Sequence, residues 1–201
     1  NCGANATLLT SNLTCINTAD NMYGSTLTTA TNTPCTGTPV YDVWYRFVAQ
    51  TVNHTVTLSG LGSHLTAANL QMQLIQTCGA TPATIQCGTG LSMEANNLTP
   101  NTTYYIRVYA TSGTAPTVNT NSGLNICVTH DAPPAPPSND ECIGAVTLLN
   151  NSGCSNIQGN VLSATASSTP IAPCTAPVSY DVWYKFTAVI TNPVITLGGG
   201  A

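Results

Sequence analysis

The first 62 residues or so of this 201-residue chain return, in the same order, at a spacing of about 139. Cys2-Gly3-Ala4-Asn5-Ala6-Thr7-Leu8-Leu9 comes back as Cys142-Ile143-Gly144-Ala145-Val146-Thr147-Leu148-Leu149, and Cys15 and Cys35 come back as Cys154 and Cys174. Tyr41-Asp42-Val43-Trp44-Tyr45-Arg46-Phe47 becomes Tyr180-Asp181-Val182-Trp183-Tyr184-Lys185-Phe186, and Val56-Thr57-Leu58 becomes Ile195-Thr196-Leu197. A repeat of this length is a whole folding unit copied in tandem. It predicts a complete repeat over residues 1–128, a linker over 129–139, and the N-terminal part of a second repeat over 140–201. The second copy reaches Ala201 where the first has reached only about Gly62. Half a sandwich cannot bury its own apolar face, so Ala201 is expected not to be a natural end.

Strand signals fill the unit. Val40–Val48 alternates, with Tyr41, Val43, Tyr45 and Phe47 on one face and Asp42, Trp44 and Arg46 on the other. Residues 54–59, 70–77, 102–110 and 124–129 have the length and β-branched content of strands, and residues 6–10 and 25–30 are read the same way. No 12-residue stretch carries a helical period. The chain holds 34 Thr, 14 Ser and 20 Asn. Thr favours pleated strands, while Ser and Asn favour turns. About eight short strands per unit predict an all-β, antiparallel sandwich of Greek-key or jelly-roll type. Trp44, Tyr104 and Trp183 are assigned to its structural core. Tyr104 follows the Pro100-Asn101 turn, where its hydroxyl can return to the upstream backbone as in a tyrosine corner.

Nine cysteines without C-x-x-C spacing read as a disulfide framework in an oxidising compartment. Six cysteines in the complete unit allow 15 connectivities. Cys78 and Cys87 bracket a short turn and are expected to pair. Cys2–Cys127 would clasp the ends of the unit, which leaves Cys15–Cys35 and, in the second copy, Cys154–Cys174. Cys142 then has no partner in this chain.

Composition excludes several functions. With 3 Lys+Arg against 7 Asp+Glu, the chain is a poor partner for nucleic acid or an anionic bilayer surface. No run of 18 apolar residues is present to insert in a membrane. The opening Asn1-Cys2-Gly3-Ala4 is not a signal peptide, as expected of a mature secreted chain or an internal segment. No nucleophile–base set, His-Glu-x-x-His motif or carboxylate pair is legible, so neither catalysis nor a cofactor is expected. No metal site is expected either, because His54, His64 and His130 are scattered and Asp42 and Asp181 lack an Asp-rich loop. The two aspartates are read instead as hydrogen-bonding groups near a strand start. Arg46 and Lys185 are given a cross-strand or surface role. Six Asn-x-Ser/Thr sequons are no more than this much Ser and Thr produces by chance.

Several strings together resemble a known family. They are Asn139-Asp140-Glu141-Cys142 at a unit start, the Asp-Val-Trp-Tyr-x-Phe strand, the short Cys78–Cys87 turn, Leu98-Thr99-Pro100-Asn101-Thr102-Thr103-Tyr104-Tyr105-Ile106-Arg107-Val108, and a final Ile126-Cys127-Val128. They are similar to the repeats of giant secreted surface proteins of Bacteroidetes. The resemblance implies cysteine-containing β-sandwich repeats exported by the type IX route to the cell surface, in adhesins or filaments, with no catalytic residues. The expected partners are copies of the chain itself, through self-association or neighbouring repeats, and a glycan or other cell-surface ligand. A carbohydrate-binding accessory module of a secreted enzyme is the alternative, with Tyr23 or Tyr109 as the exposed aromatic.

Overall fold

The structure, a computed structural model, describes residues 2–28, 34–78, 83–150, 153–167 and 179–199. It forms two compact units, Asn1–Ala132 and Pro133–Ala201. The first runs through β1 (Thr7–Leu8), β2 (Ser11–Asn12), β3 (Thr18–Asn21), β4 (Tyr41–Val48), β5 (His54–Ser59), β6 (Leu70–Ile75), β7 (Thr84–Thr89), β8 (Ser92–Ala95), β9 (Thr103–Ala110) and β10 (Gly123–His130). These build two sheets, one in the order β1-β4-β9-β6-β7 and the other β2-β10-β5-β8, with β3 also on β10. All pairings are antiparallel except the two short edge pairs, β1 on β4 and β2 on β10. The first expected strand, residues 6–10, is thus a two-residue edge piece, and residues 25–28 form no strand.

Alternation explains the core. Tyr41, Tyr45 and Phe47 of β4, Leu70, Met72 and Leu74 of β6, and Tyr104, Ile106 and Val108 of β9 meet Val56, Leu58, Met93, Leu124, Ile126 and Val128 of the other sheet. Each such side chain contributes about 1.5–3 kcal/mol by leaving water. Tyr104 is buried, and its hydroxyl accepts the Thr99 N–H at 2.9 Å across the turn. That turn, with Asn101 at φ 61°, is closed by the Thr102 N–H on the Thr99 carbonyl at 3.3 Å, and the Asn101 N–H ties it to the Ala49 carbonyl at 2.8 Å. At the other corner, a Cβ on Gly88 would meet the Met93 Cβ at 2.3 Å. Glycine there is what lets β7 and β8 pass from one sheet to the next.

The disulfides differ from the expected pairs. They join Cys2–Cys78, Cys15–Cys127 and Cys35–Cys87, so Cys2–Cys127, Cys15–Cys35 and Cys78–Cys87 are all corrected. The hairpin register is the reason for the last. Cys87 sits opposite Gln73, whereas Cys78 lies five residues beyond Gln73, or about 16 Å along an extended strand. Cys2 packs with Ala6 against Trp44, Ile75 and Tyr105 on the outer face of the first sheet. Cys127 lies between the inward Ile126 and Val128, so it faces the outside of the second sheet. The sandwich therefore stands between Cys2 and Cys127. Cys15 follows β2, which runs beside β10 at Val128 and Thr129, and this brings it onto Cys127.

In the second unit β11 (Val146–Thr147) pairs with β12 (Tyr184–Lys185) in parallel. Val146 stands opposite Tyr184 and Thr147 opposite Lys185, whereas Thr7, the counterpart of Thr147 in the repeat, stands opposite Tyr45, so the pairing of β1 on β4 returns displaced by one residue. Asn139 and Trp183 exchange two bonds, Trp183 N–H to Asn139 O at 2.8 Å and Asn139 Nδ2 to Trp183 O at 3.0 Å. Cys142 and Cys154 are exposed free thiols. The expected Cys154–Cys174 bridge involves Cys174, which lies outside the described residues. The expected linker begins later than residue 129, because Thr129 and His130 belong to β10.

Candidate functional site: a roofed polar face and an exposed tyrosine

In the middle of the first sheet the outward face is not solvated. Asp42, Trp44, Gln71, Gln73, Arg107 and Tyr109 are all buried. Residues 2–6 cross part of this face. The segment after residue 34 covers another part, held to β7 by Cys35–Cys87. Tyr109 fastens that segment: its hydroxyl accepts the Thr36 N–H at 3.1 Å and donates to the Thr36 carbonyl at 3.0 Å. Tyr109 is therefore fully buried and is corrected as a surface aromatic.

Asp42 is the centre of this layer. Its Oδ2 takes Arg107 Nη2 at 2.6 Å and Nε at 2.8 Å, while the Thr28 hydroxyl donates to Oδ1 at 2.6 Å. Trp44 Nε1 donates to that same Thr28 hydroxyl at 3.0 Å. The Arg107 guanidinium lies 5.6 Å from the Trp44 ring and 5.2 Å from the Tyr109 ring. Trp44 is thus buried on the roofed face and not between the sheets, which refines its assignment to the core. The second unit repeats the arrangement. Ser167 donates its N–H and hydroxyl to Asp181, each at 2.9 Å, and Trp183 Nε1 donates to the Ser167 hydroxyl. These aspartates are fold latches. Arg107 went unmarked in the sequence, where the signal was a lone cation inside an apolar strand.

The far end of β10 and the start of β5 bring two of the histidines together. His54 and His130 are register partners with ring centroids 5.8 Å apart, and Phe47 lies 5.2 Å from His54. His54 is buried; its Nε2 accepts the Gln50 N–H at 3.1 Å, and its Nδ1 has no partner. Burial lowers its pKa to about 4, helped by His130 and opposed by Asp131. His130 Nδ1 meets the Ser11 hydroxyl at 2.9 Å. His64 sits elsewhere, with Nε2 3.0 Å from the Thr114 carbonyl. Among the described residues no three His, Cys, Asp or Glu side chains gather as metal ligands. Within the core, burial and the nearby Asp20 push the Tyr45 hydroxyl pKa upward. Arg46 is half-buried, and its Nε has no partner. Lys185, its counterpart, is exposed.

Tyr23 behaves differently. In the first unit it is the one aromatic among the described residues that is exposed, at 54%. Its ring borders an open cavity of about 380 Å³ with Ser25, Thr26, Ala115, Pro116 and Thr117. No charged side chain lines this space. Among the described residues no helix is long and apolar enough to cross a membrane.

Comparison with known proteins places this architecture. The family described as galactose binding domain-like, associated with the type IX secretion system (T9SS), matches residues 1–125 and 138–198. A solved structure, the pre-peptidase C-terminal domain of collagenase from Bacillus anthracis, is similar at 18% identity and a TM-score of 0.35. That match covers 64% of this chain and 98% of the other, but the likeness is too small to argue from. No curated protein matches. A β-sandwich with three internal disulfides is at home outside the cytoplasm, as the secretion association requires. The chain belongs to the T9SS-associated galactose binding domain-like family, as a secreted, disulfide-stapled β-sandwich protein.

Proposed function

We propose that the chain is a non-catalytic structural repeat of an extracellular filament or giant cell-surface adhesin, of the kind that serves attachment or predation. The observation that carries this reading is the recurrence of the Asp42–Thr28–Trp44 latch as Asp181–Ser167–Trp183. Some of the scarce charged groups go into holding each copy together, and the same local frame is built twice. A surface with almost no charge offers little repulsion to copies packing side by side. Electron microscopy of the purified chain at rising concentration tests it. Regular filaments or rods are expected, and dispersed globular particles at every concentration count against the reading.

A second reading, a carbohydrate-binding module attached to a secreted enzyme, draws on the family description and on Tyr23 beside its cavity. An adhesin repeat and an accessory module both need a ligand. They part on the neighbouring domains in the full-length protein: many further repeats favour the first, and a catalytic domain favours the second.

A further inference from the structure

We propose that β7 is the strand through which the first units of two copies of this chain pair, edge to edge and antiparallel. The inference rests on the filament reading above and names the surface by which copies meet. Its ground is that the last strand of an open sheet presents a row of backbone N–H and C=O groups, a template for another strand.

β7 ends the first sheet, and among the described residues it pairs with β6 alone. Of its six residues only Gly88 is buried. Edge strands are normally blunted by charges, by proline or by a bulge that twists them away. Thr84–Thr89 carries neither charge nor proline. Its one irregularity falls at Ile85, between the pairs Ile75–Thr84 and Leu74–Gln86. Beyond it Gln86, Cys87, Gly88 and Thr89 stand in unbroken register with Leu74, Gln73, Met72 and Gln71. The strand is also held firmly. Cys87 is bridged to Cys35, Gln73 Nε2 donates to Thr84 Oγ1 at 2.6 Å, and Gly88 lies close against Met93. A strand fixed in advance loses little freedom when its partner arrives.

Charge selects a second copy as the occupant. Antiparallel pairing of identical strands sets each side chain near its own kind, so a charged edge repels its own image. Among the other end strands, β8 carries the exposed Glu94 and β3, on the outer side of β10, carries Asp20. β1 and β2 are two residues each. Only β7 combines length with neutrality. A partner of other sequence could match any of these edges with an opposite charge, whereas self-pairing singles out the neutral one. Ile85, 39% exposed, adds apolar surface to the contact. The paired stretch is short, so a dissociation constant of about 10–100 µM is expected for one contact. Copies aligned along a filament would add such contacts together.

The test uses the intact chain with its disulfides formed and its free thiols capped by iodoacetamide, so that no bridge between copies arises. Sedimentation at low salt, over a concentration range of about 1–300 µM, is run on the wild type, Gln86→Lys and Gln86→Glu. Gln86 is exposed, so circular dichroism should be unchanged in both variants. In the pair each residue 86 lies within about 10 Å of its counterpart, where like charges repel. Each variant alone is expected to associate about tenfold more weakly than the wild type or worse, and an equimolar mixture of the two to regain association. Amide exchange at Gln86–Thr89 should slow as the wild type associates, while β8 is unaffected. Wild type and variants associating equally would overturn the edge and leave the filament reading to another surface. Protection appearing at β8 or β3 would do the same. A wild type that stays monomeric throughout overturns the edge and counts against the filament reading as well. Variants that lose association without regaining it on mixing also overturn the proposal, because pairing between identical strands requires the rescue.

Discussion

Arg107 reaches diagonally across the β4–β9 ladder, past its register partner Trp44, and closes on Asp42 with Nη2–Oδ2 at 2.6 Å. Both side chains are almost wholly excluded from water, at 2% and 1% exposure. A charge so placed is tolerable only with its partner, so removing one strands the other. Asp42→Ala should destabilise the first unit by roughly 3–5 kcal/mol, as for other broken buried pairs. Replacing both with apolar residues of similar volume should recover much of that loss. Urea unfolding of the two single variants and the double variant, followed by tryptophan fluorescence, measures the coupling.

The pH dependence follows from His54. Its pKa falls from an ordinary 6.5 to about 4 in the folded chain because the neutral ring is buried. Between these values the unfolded chain holds a proton that the folded chain refuses, so acid favours unfolding. The contribution is fully present above about pH 6.5 and disappears as the pH falls toward 4. It amounts to roughly 3 kcal/mol across the window. In His54→Gln this part of the acid loss should vanish, while the shared loss from carboxylates remains. Parallel unfolding curves at pH 7 and pH 4.5 give the difference; an equal acid loss in both proteins would refute the assignment.

The central strands were legible because alternation marks a strand with one face in a core, as in Tyr41, Val43, Tyr45 and Phe47. β7 escaped notice for the converse reason. It is an edge strand, largely exposed on both faces, so Thr84–Thr89 needs no alternation. The polar face of β4 was read correctly as the opposite face, yet its burial was hidden. Nothing local in Asp42 or Trp44 says that residues 2–6 and the segment at Thr36 fold back over them. The disulfide pairs were hidden for the same reason. Pairing depends on which sheet face each segment crosses, and spacing along the chain carries no record of that.

Disulfide mapping tests those crossings directly. Non-reducing peptide analysis should recover Cys2–Cys78, Cys15–Cys127 and Cys35–Cys87. Their sequence separations of 76, 112 and 52 residues are long, and loops of that size stabilise by about 4–5 kcal/mol each in the chain-entropy account. Cys142 and Cys154 should be alkylated by iodoacetamide without denaturant. Resistance of Cys154 would point instead to a bridge with Cys174.

Proteolysis offers the final prediction, because trypsin has only Arg46, Arg107 and Lys185 to act on. In the first unit Arg46 lies in β4 and Arg107 in β9, which are neighbouring interior strands of the first sheet. A protease must draw an extended segment into its cleft, so cutting at either arginine requires the sheet to come apart. Opening of that kind follows the stability of the whole sandwich more than local fraying. Lys185 is exposed and stands beside only the short pairing with β11. Native digestion should therefore cut after Lys185 and leave residues 1–132 intact for hours. Reduction of the three disulfides should then make both arginines susceptible, with Arg46 and Arg107 cleaved together once the sandwich opens. Rapid cleavage after Arg107 in the oxidised protein would mean that the Asp42–Arg107 layer is not closed in solution.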